Sequence, residues 1–586
     1  MSLVASRRWT ALLERRWLFA TALTGIVLLG LAAEFIAPPG ADNAYLLYTA
    51  GRVLDGAKLY IDILEVNPPL IVAFNFPPVL LGRMTGLPDL LVFRLGVGLL
   101  LGISILLSQV GLRSIVSGGQ LGQRAFTLLL AFALFVVPAE TFGEREHLML
   151  ALVLPYLFTV IARVLGGSIP TRYAHLIGVL AGFGFALKPH FALVWVLLEL
   201  WLAVVRRRRP IVRQENSWVA ALLLAYAVSV LLLTPEYLDL VRRFGTLYLA
   251  FFRASLVKTL LFGERSRLPL LALLAYLALR KQCPRPALLT GLALTVAGLV
   301  SVATIQQKGW NYHFYPASAA ALVLLSTVVV TVRRPLTSLA RQIYGVVALG
   351  VVMAVMTSAI LVSAWRLADP RGPKVEPHPA YWELADLVSQ RARGRPILVL
   401  SWAMGSAWPL TYATGARWSM RFPSLWMLWV LYADQFAEPG SLRYHSPANE
   451  LPQEAFLRDA VASDMERFEP ELLIVFSTAP DTPESGLSRL DYLAYFARDP
   501  RFAAQLRYYR YLRTIGVHDV YQRVAEAAVE GLRRPPAHDV GAPAPELPPE
   551  RRVALFGFVG MFQLFVFLVS GMLALAFKWH RGAGET

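Results

Sequence analysis

The chain has 586 residues, of which 56% are hydrophobic and only 16% charged. Apolar runs of about 16–25 residues recur along most of it, long enough to cross a hydrocarbon core of roughly 30 Å, which excludes a soluble globular protein. A formal net charge of +17 would suit nucleic acid, but the basic residues lie mainly in short loops between apolar runs. That pattern orients a membrane protein and does not build a polyanion-binding face, so no nucleic-acid partner is expected.

In chain order, candidate spans fall at residues 17–37, 90–110, 125–138, 147–165, 174–188, 191–205, 217–234, 268–279, 287–305, 314–332, 343–364 and 553–577. Arg7, Arg8, Arg15 and Arg16 precede the first, and "LAAEFIA" reads as a signal-peptidase site. The apolar run is longer than a signal-peptide core, so a retained span is expected. The window 70–80 is apolar but broken by Pro68, Pro69, Pro77 and Pro78, which suits an interfacial or re-entrant piece.

Charge parity checks this reading. With that window not crossing and the N-terminus in the cytoplasm, the loops holding Arg113 and Arg124, Arg163 and Arg172, Arg206 to Arg209, Arg280 and Lys281, Arg333 and Arg334, and Lys578 share one side. If it crossed, the "RRRR" loop would face outward, against the positive-inside rule. The expectation is a polytopic α-helical protein of about twelve spans with both ends inside. Its single cysteine, Cys283, permits no intrachain disulfide, so any external domain is held by its own core.

The apolar runs stop after residue 365. Strand-like "RPILVLS" (395–401), "ELLIVFS" (471–477) and "GVHDVYQRV" (516–524) alternate with helix-like stretches such as "YWELADLVSQRA", the pattern of an α/β domain. The organisation expected is a membrane core over 1–365 and an extracytoplasmic α/β domain over 366–532. A Pro/Ala-rich linker over 533–552 then leads to a last transmembrane helix with its tail over 553–586.

Parity places four polar clusters on the outer face. The first, 41–70, carries Asp42, Tyr45, Thr49 and Arg52 at helical spacing, as in an amphipathic helix on the membrane surface, whether or not it is only a collar. "FGEREHLML" (142–150) brings Glu144, Arg145 and Glu146; "ALKPHF" (186–191) brings Lys188 and His190; "QQKGWNYHFYP" (306–316) brings Lys308, Trp310, Tyr312, His313 and Tyr315. Lysines and aromatic residues at span ends ordinarily anchor to the interface. That does not account for acids, amides and histidines gathering on this face.

Together the clusters offer what a lipid-phosphate sugar donor requires. Arg145, Lys188, His190, Lys308 and His313 supply cations for a phosphate. Tyr45, Trp310, Tyr312 and Tyr315 supply faces for a sugar ring or isoprenoid tail. Asp42, Glu144 or Glu146 supplies a carboxylate to take a proton from an acceptor hydroxyl. The same three acids could bind a divalent metal through oxygen, although their spacing does not show that they converge.

An aspartate just after the first span, "NPPL" closing the first external loop and an acidic second external loop resemble the GT-C superfamily of membrane glycosyltransferases. The lipid A aminoarabinose transferases and the protein O-mannosyltransferases belong to it. The resemblance covers roughly the first 330 residues, and "KGWNYHFYP" resembles uncharacterised bacterial members. It implies inverting transfer from a polyprenyl-phosphate sugar to a glycan, lipid or protein acceptor, in a multi-pass protein of the bacterial inner membrane whose active site faces the periplasm. Asp42 stands at the family's base position, with Glu144 or Glu146 in the second acidic loop. The chain departs from the lipid A enzymes in reading "EVNPPL" where they carry a lysine before the prolines.

Two other readings stay open. An O-antigen ligase or polymerase would use a polyprenyl-diphosphate glycan, usually with a large external loop between spans. A transporter or flippase would line a path with ionisable residues at mid-membrane. Here Glu199 lies towards the cytoplasmic end of its span, and Arg94 and Arg145 lie near span ends.

Overall fold

The computed structural model describes residues 15–116, 119–206, 212–263, 266–283, 286–331, 339–368, 379–435, 442–446, 448–477 and 490–525. The linker over 533–552 and the last candidate span lie outside these residues. Helices occupy the other eleven candidate segments. Eight helices, from Arg16–Ile36 to Val346–Ala368, are long and apolar enough to cross a membrane. Gly119–Phe135 and Thr171–Leu187 have 17 residues each, and Arg267–Leu279 has 13. At 1.5 Å per residue these three rise only about 20–26 Å, short of a hydrocarbon core of roughly 30 Å. Among the described residues, eleven of the twelve expected spans therefore become eight long helices and three short ones.

The Arg145–Val164 helix is the centre of the bundle, with 94% of its apolar window buried, whereas Gln214–Leu233 is at the periphery with 11%. A helix apolar all round is stable in either setting, and contact decides which. Gly111 brings the Asp89–Ile115 helix against the central one, since a Cβ there would lie 2.7 Å from the Phe158 backbone. The broken window forms two short helices, Leu70–Phe74 and Phe76–Thr85. Between them the Asn75 side chain donates to the Ile71 carbonyl at 2.8 Å.

The far ends of these helices hold a paired polar network. Arg163 meets Glu215 at 3.1 Å, and Arg213 meets Glu199 at 2.5 Å and Glu215 at 2.9 Å. Tyr156 donates to Glu199 at 2.6 Å. Glu199 is thus paired within this cluster.

The α/β domain is built on a five-stranded mixed sheet of order β2-β1-β3-β5-β4. Strand β1 (Pro396–Leu400) pairs in parallel with β2 (Arg417–Trp418) and β3 (Leu472–Phe476). Strand β5 (His518–Arg523) runs antiparallel to β3 and to β4 (Tyr509–Ile515). The unbroken apolar runs of β1 and β3 are buried, as parallel strands covered on both faces require.

This domain sits on the membrane core. The Ala41–Leu54 helix, expected on the lipid surface, is instead held between the two: Tyr45 and Tyr48 pack on Trp408 at 4.7 and 5.3 Å. The Trp418 amide donates to the Tyr48 hydroxyl at 2.9 Å, and the Leu64 amide to the Arg421 carbonyl at 2.8 Å. Aromatic contact with protein replaces the expected contact with lipid. Phe252 stacked on Trp429 at 4.5 Å extends the seam.

Candidate active site

A cavity of about 1060 Å³ lies between the membrane core and the α/β domain. Its floor holds Asp42, Glu65, Asn67, Glu144 and Arg145; its wall holds Tyr248, Trp310 and Tyr312; its roof comes from the α/β domain.

Local sequence sets the floor. Residues 38–40 read Pro-Pro-Gly and separate the first span from the Ala41–Leu54 helix, which places Asp42 in a first turn. There the helix dipole favours a carboxylate. The second acidic loop is held by a residue given no role from sequence, His147. Its Nδ1 accepts from the Gly143 amide at 2.9 Å, and its Nε2 donates to the Leu134 carbonyl at 3.0 Å. Gly143 has φ +79°, and a Cβ there would meet the Phe93 ring at 2.7 Å, so the position needs glycine on both counts. The Asn43 side chain donates to the Phe142 carbonyl at 2.8 Å and joins the two acidic loops.

Arg145 Nη2 stands 3.9 Å from Asp42 Oδ2, and its Nη1 donates to Asn67 Oδ1. Asn67 in turn donates to Glu65 Oε1, from its amide at 2.7 Å and its side chain at 2.5 Å. Several polar atoms here are buried with no hydrogen-bond partner in the protein, among them Glu144 Oε2 and Arg145 Nε. Buried polar groups rarely stay unpaired, and a ligand is one means of pairing them.

Enclosure raises both acids. Burial pushes the Asp42 carboxyl up, with Arg145 opposing and Glu146 adding. Glu144 is held further up by burial and by the neighbouring Asp42 and Glu146 charges. Two adjoining carboxyls beside one guanidinium cannot both ionise cheaply. Of the two, Asp42 is the easier to ionise, next to Arg145 and with 26% of its side chain still open, and Glu144 is the harder.

The other expected site residues lie elsewhere. Glu146 is paired with Lys188, and His313 Nε2 is 3.5 Å from the same carboxylate. All three are buried and none lines the cavity; Lys188 backs it through the Tyr312 ring at 5.6 Å. Lys308 donates to the carbonyls of Tyr248, Leu249 and Phe251 at the end of the Pro235–Ala250 helix. That is a C-terminal cap, a favourable place for a cation. Burial, with Arg253 nearby, draws its ammonium down to about 8. Tyr315 donates to the Ala133 carbonyl at 2.9 Å, and His190 lies against Phe191. Of the five expected phosphate cations, only Arg145 lines the cavity.

Sequence reading gave no role to Glu65, Asn67, Tyr248, Arg366 or the roof, all of which line it. The aromatic run "YLAFF" at 248–252 was an available signal for Tyr248. Among the described residues no group of three His, Cys, Asp or Glu is arranged to hold a divalent metal. Arg145 already supplies the cation beside Asp42.

No family model matches this sequence, and no curated protein does. Among solved structures, the fold is similar to the cryo-EM structure of the arabinofuranosyltransferase AftD from Mycobacteria, with TM-score 0.42 and 16% identity over 88% of this chain and 40% of that one. It is also similar to the crystal structure of ArnT from Cupriavidus metallidurans in the apo state, with TM-score 0.47 and 15% identity over 87% of this chain and 97% of that one. This chain spans about two fifths of the length of AftD.

Proposed function

We propose that the chain is an inverting glycosyltransferase that moves a sugar from a polyprenyl-phosphate donor to an acceptor hydroxyl at the extracytoplasmic face of the bacterial inner membrane. The observation that carries this reading is the enclosure of Asp42, Glu144 and Arg145 in one cavity, at the end of the helices opposite their basic loops.

Asp42 accepts the acceptor hydroxyl's proton as that oxygen bonds to the anomeric carbon. The bond from that carbon to the phosphate oxygen breaks on the opposite face, and its electron pair leaves with polyprenyl phosphate. Arg145, partly unpaired and screened from water, stabilises the charge that builds on phosphate, where a fixed cation is most effective. Protonated Glu144 keeps the shared site from carrying two negative charges. Trp310 and Tyr312 offer ring faces to the sugar or the first isoprene units.

The transporter reading loses its main residue, since Glu199 is bound to Arg213 and Tyr156. The test is to incubate the purified chain in lipid nanodiscs with polyprenyl-phosphate sugars radiolabelled in the sugar, together with cell-envelope extract. Release of polyprenyl phosphate coupled to labelled envelope glycan, lipid or protein supports the reading. Donor that crosses the bilayer unchanged favours a flippase.

A further inference from the structure

We infer that the α/β domain supplies the acceptor site, and that the acceptor is a saccharide bound under its roof by Trp402, Ser424 and Trp426. This deepens the transferase reading by naming the acceptor class.

The fold itself marks the place. Strand β1 lies between β2 and β3 with all three parallel, so the chain leaves β1 for one neighbour and later returns to its other side. In open α/β sheets, ligands bind at the carboxyl ends of strands where the order switches in this way. The segments that leave the carboxyl ends of β1 and β2 bring Trp402 and Ser424 to the cavity. They are pinned together: the Leu425 amide donates to the Ser401 carbonyl at 2.8 Å, and the Trp402 amide to the Tyr492 hydroxyl at 3.1 Å.

Two side chains there are unsatisfied. Ser424 is only 1% exposed and its Oγ has no partner; Trp402 Nε1 is likewise buried without one. A hydroxyl of the ligand can accept from the indole and pair with the serine. Trp402 also lies 5.6 Å from Phe252, and Trp426 lies 5.7 Å from Tyr248, which makes an aromatic frame. Ring faces with a few fixed donors and acceptors suit a sugar, which has both apolar faces and hydroxyls. A polypeptide would more naturally add to a sheet edge, but the outward amide of β2, at Trp418, is already bonded to Tyr48. The floor then holds the donor and the roof holds the acceptor, with Asp42 between them.

The test uses the full chain in lipid nanodiscs. Saturation-transfer NMR follows methyl glycosides and disaccharides of common hexoses and pentoses, and calorimetry follows farnesyl phosphate. At least one saccharide should bind. Ser424→Ala and Trp402→Phe should each weaken it roughly 3–10-fold, the loss expected for one hydrogen bond, while farnesyl phosphate affinity and melting temperature hold. Trp402→Ala should abolish saccharide binding. The proposal is overturned if no saccharide binds the wild type, if Ser424→Ala and Trp402→Phe bind saccharide normally, or if they lose farnesyl phosphate instead. A serine/threonine-rich peptide that binds where no saccharide does would give the roof to a protein acceptor. Saccharide binding without farnesyl phosphate binding would remove the donor reading and leave the roof assignment standing.

Discussion

The Arg145 guanidinium stands 3.9 Å from the Asp42 carboxylate, although the two residues begin different helices 103 positions apart in the chain. The Asn43 bond to the Phe142 carbonyl and the His147 bond to the Gly143 amide hold the loops that make them neighbours. The proposed base and the cation proposed to stabilise the leaving phosphate thus share one floor.

Removing that cation should affect the reaction more than the fold. Arg145→Gln should lower transfer by about 10²–10³-fold, as loss of one fixed charge-stabilising donor does. Arg145→Lys should recover part of it, keeping the charge but not the fork that also reaches Asn67. Steady-state transfer checks this, with the melting temperature as control; equal rates for Gln and Lys would show that charge is not what matters.

The two acids should shape the pH profile. Asp42 must lose its proton and its carboxyl is raised by burial, so transfer should climb with pH through a value above that of an ordinary aspartate, about 3.9. Glu144 is raised further and must keep its proton, so transfer should fall again as that proton leaves. The profile should therefore be bell-shaped. Glu144→Gln, which cannot ionise, should remove the alkaline limb and keep the acid one.

Lys308 should prove structural. Lys308→Met leaves three carbonyls at a helix end without their cation and should cost about 1–2 kcal/mol of stability, read as a lower melting temperature with donor affinity kept. Breaking the buried pair with Glu146→Gln or Lys188→Met should cost more, about 3–5 kcal/mol. The double variant should be milder than either single one. Loss of donor affinity in Lys308→Met without loss of stability would return this lysine to the phosphate site.

Topology can be read by labelling. Cysteine at Ser446 should react with an impermeant maleimide from outside, and cysteine at Lys281 should not; both positions are exposed. Native Cys283 is buried, so its protection alone would mean little. The reverse pattern would place the cavity in the cytoplasm.

Much of the membrane core could be read from the sequence, because spans and charge parity follow from length and position alone. Part of the floor was legible too: Asp42, Glu144 and Arg145 stand in loops that parity brings to one face, whereas Glu65 and Asn67 did not stand out. Depth was not. Nothing local separates Arg145, which faces the cavity, from Lys188 one layer behind it, or Lys308 from an anchoring lysine, since their partners Glu146 and Tyr248 come from distant segments. Strand β2 has two residues, and β4 reads "YRYLRTI" with its arginines out of a two-residue period and a register shift between Tyr511 and Arg513, so neither stood out. The roof depends on how two domains dock, which only tertiary contact decides.

The most direct test of the account is Asp42→Asn, which keeps the side chain's shape and removes the proton acceptor. With the purified protein in nanodiscs and a radiolabelled polyprenyl-phosphate sugar, transfer should fall by about 10²–10⁴-fold while donor affinity stays within a few-fold of wild type. Transfer at the wild-type rate would contradict the assignment of Asp42 as the base.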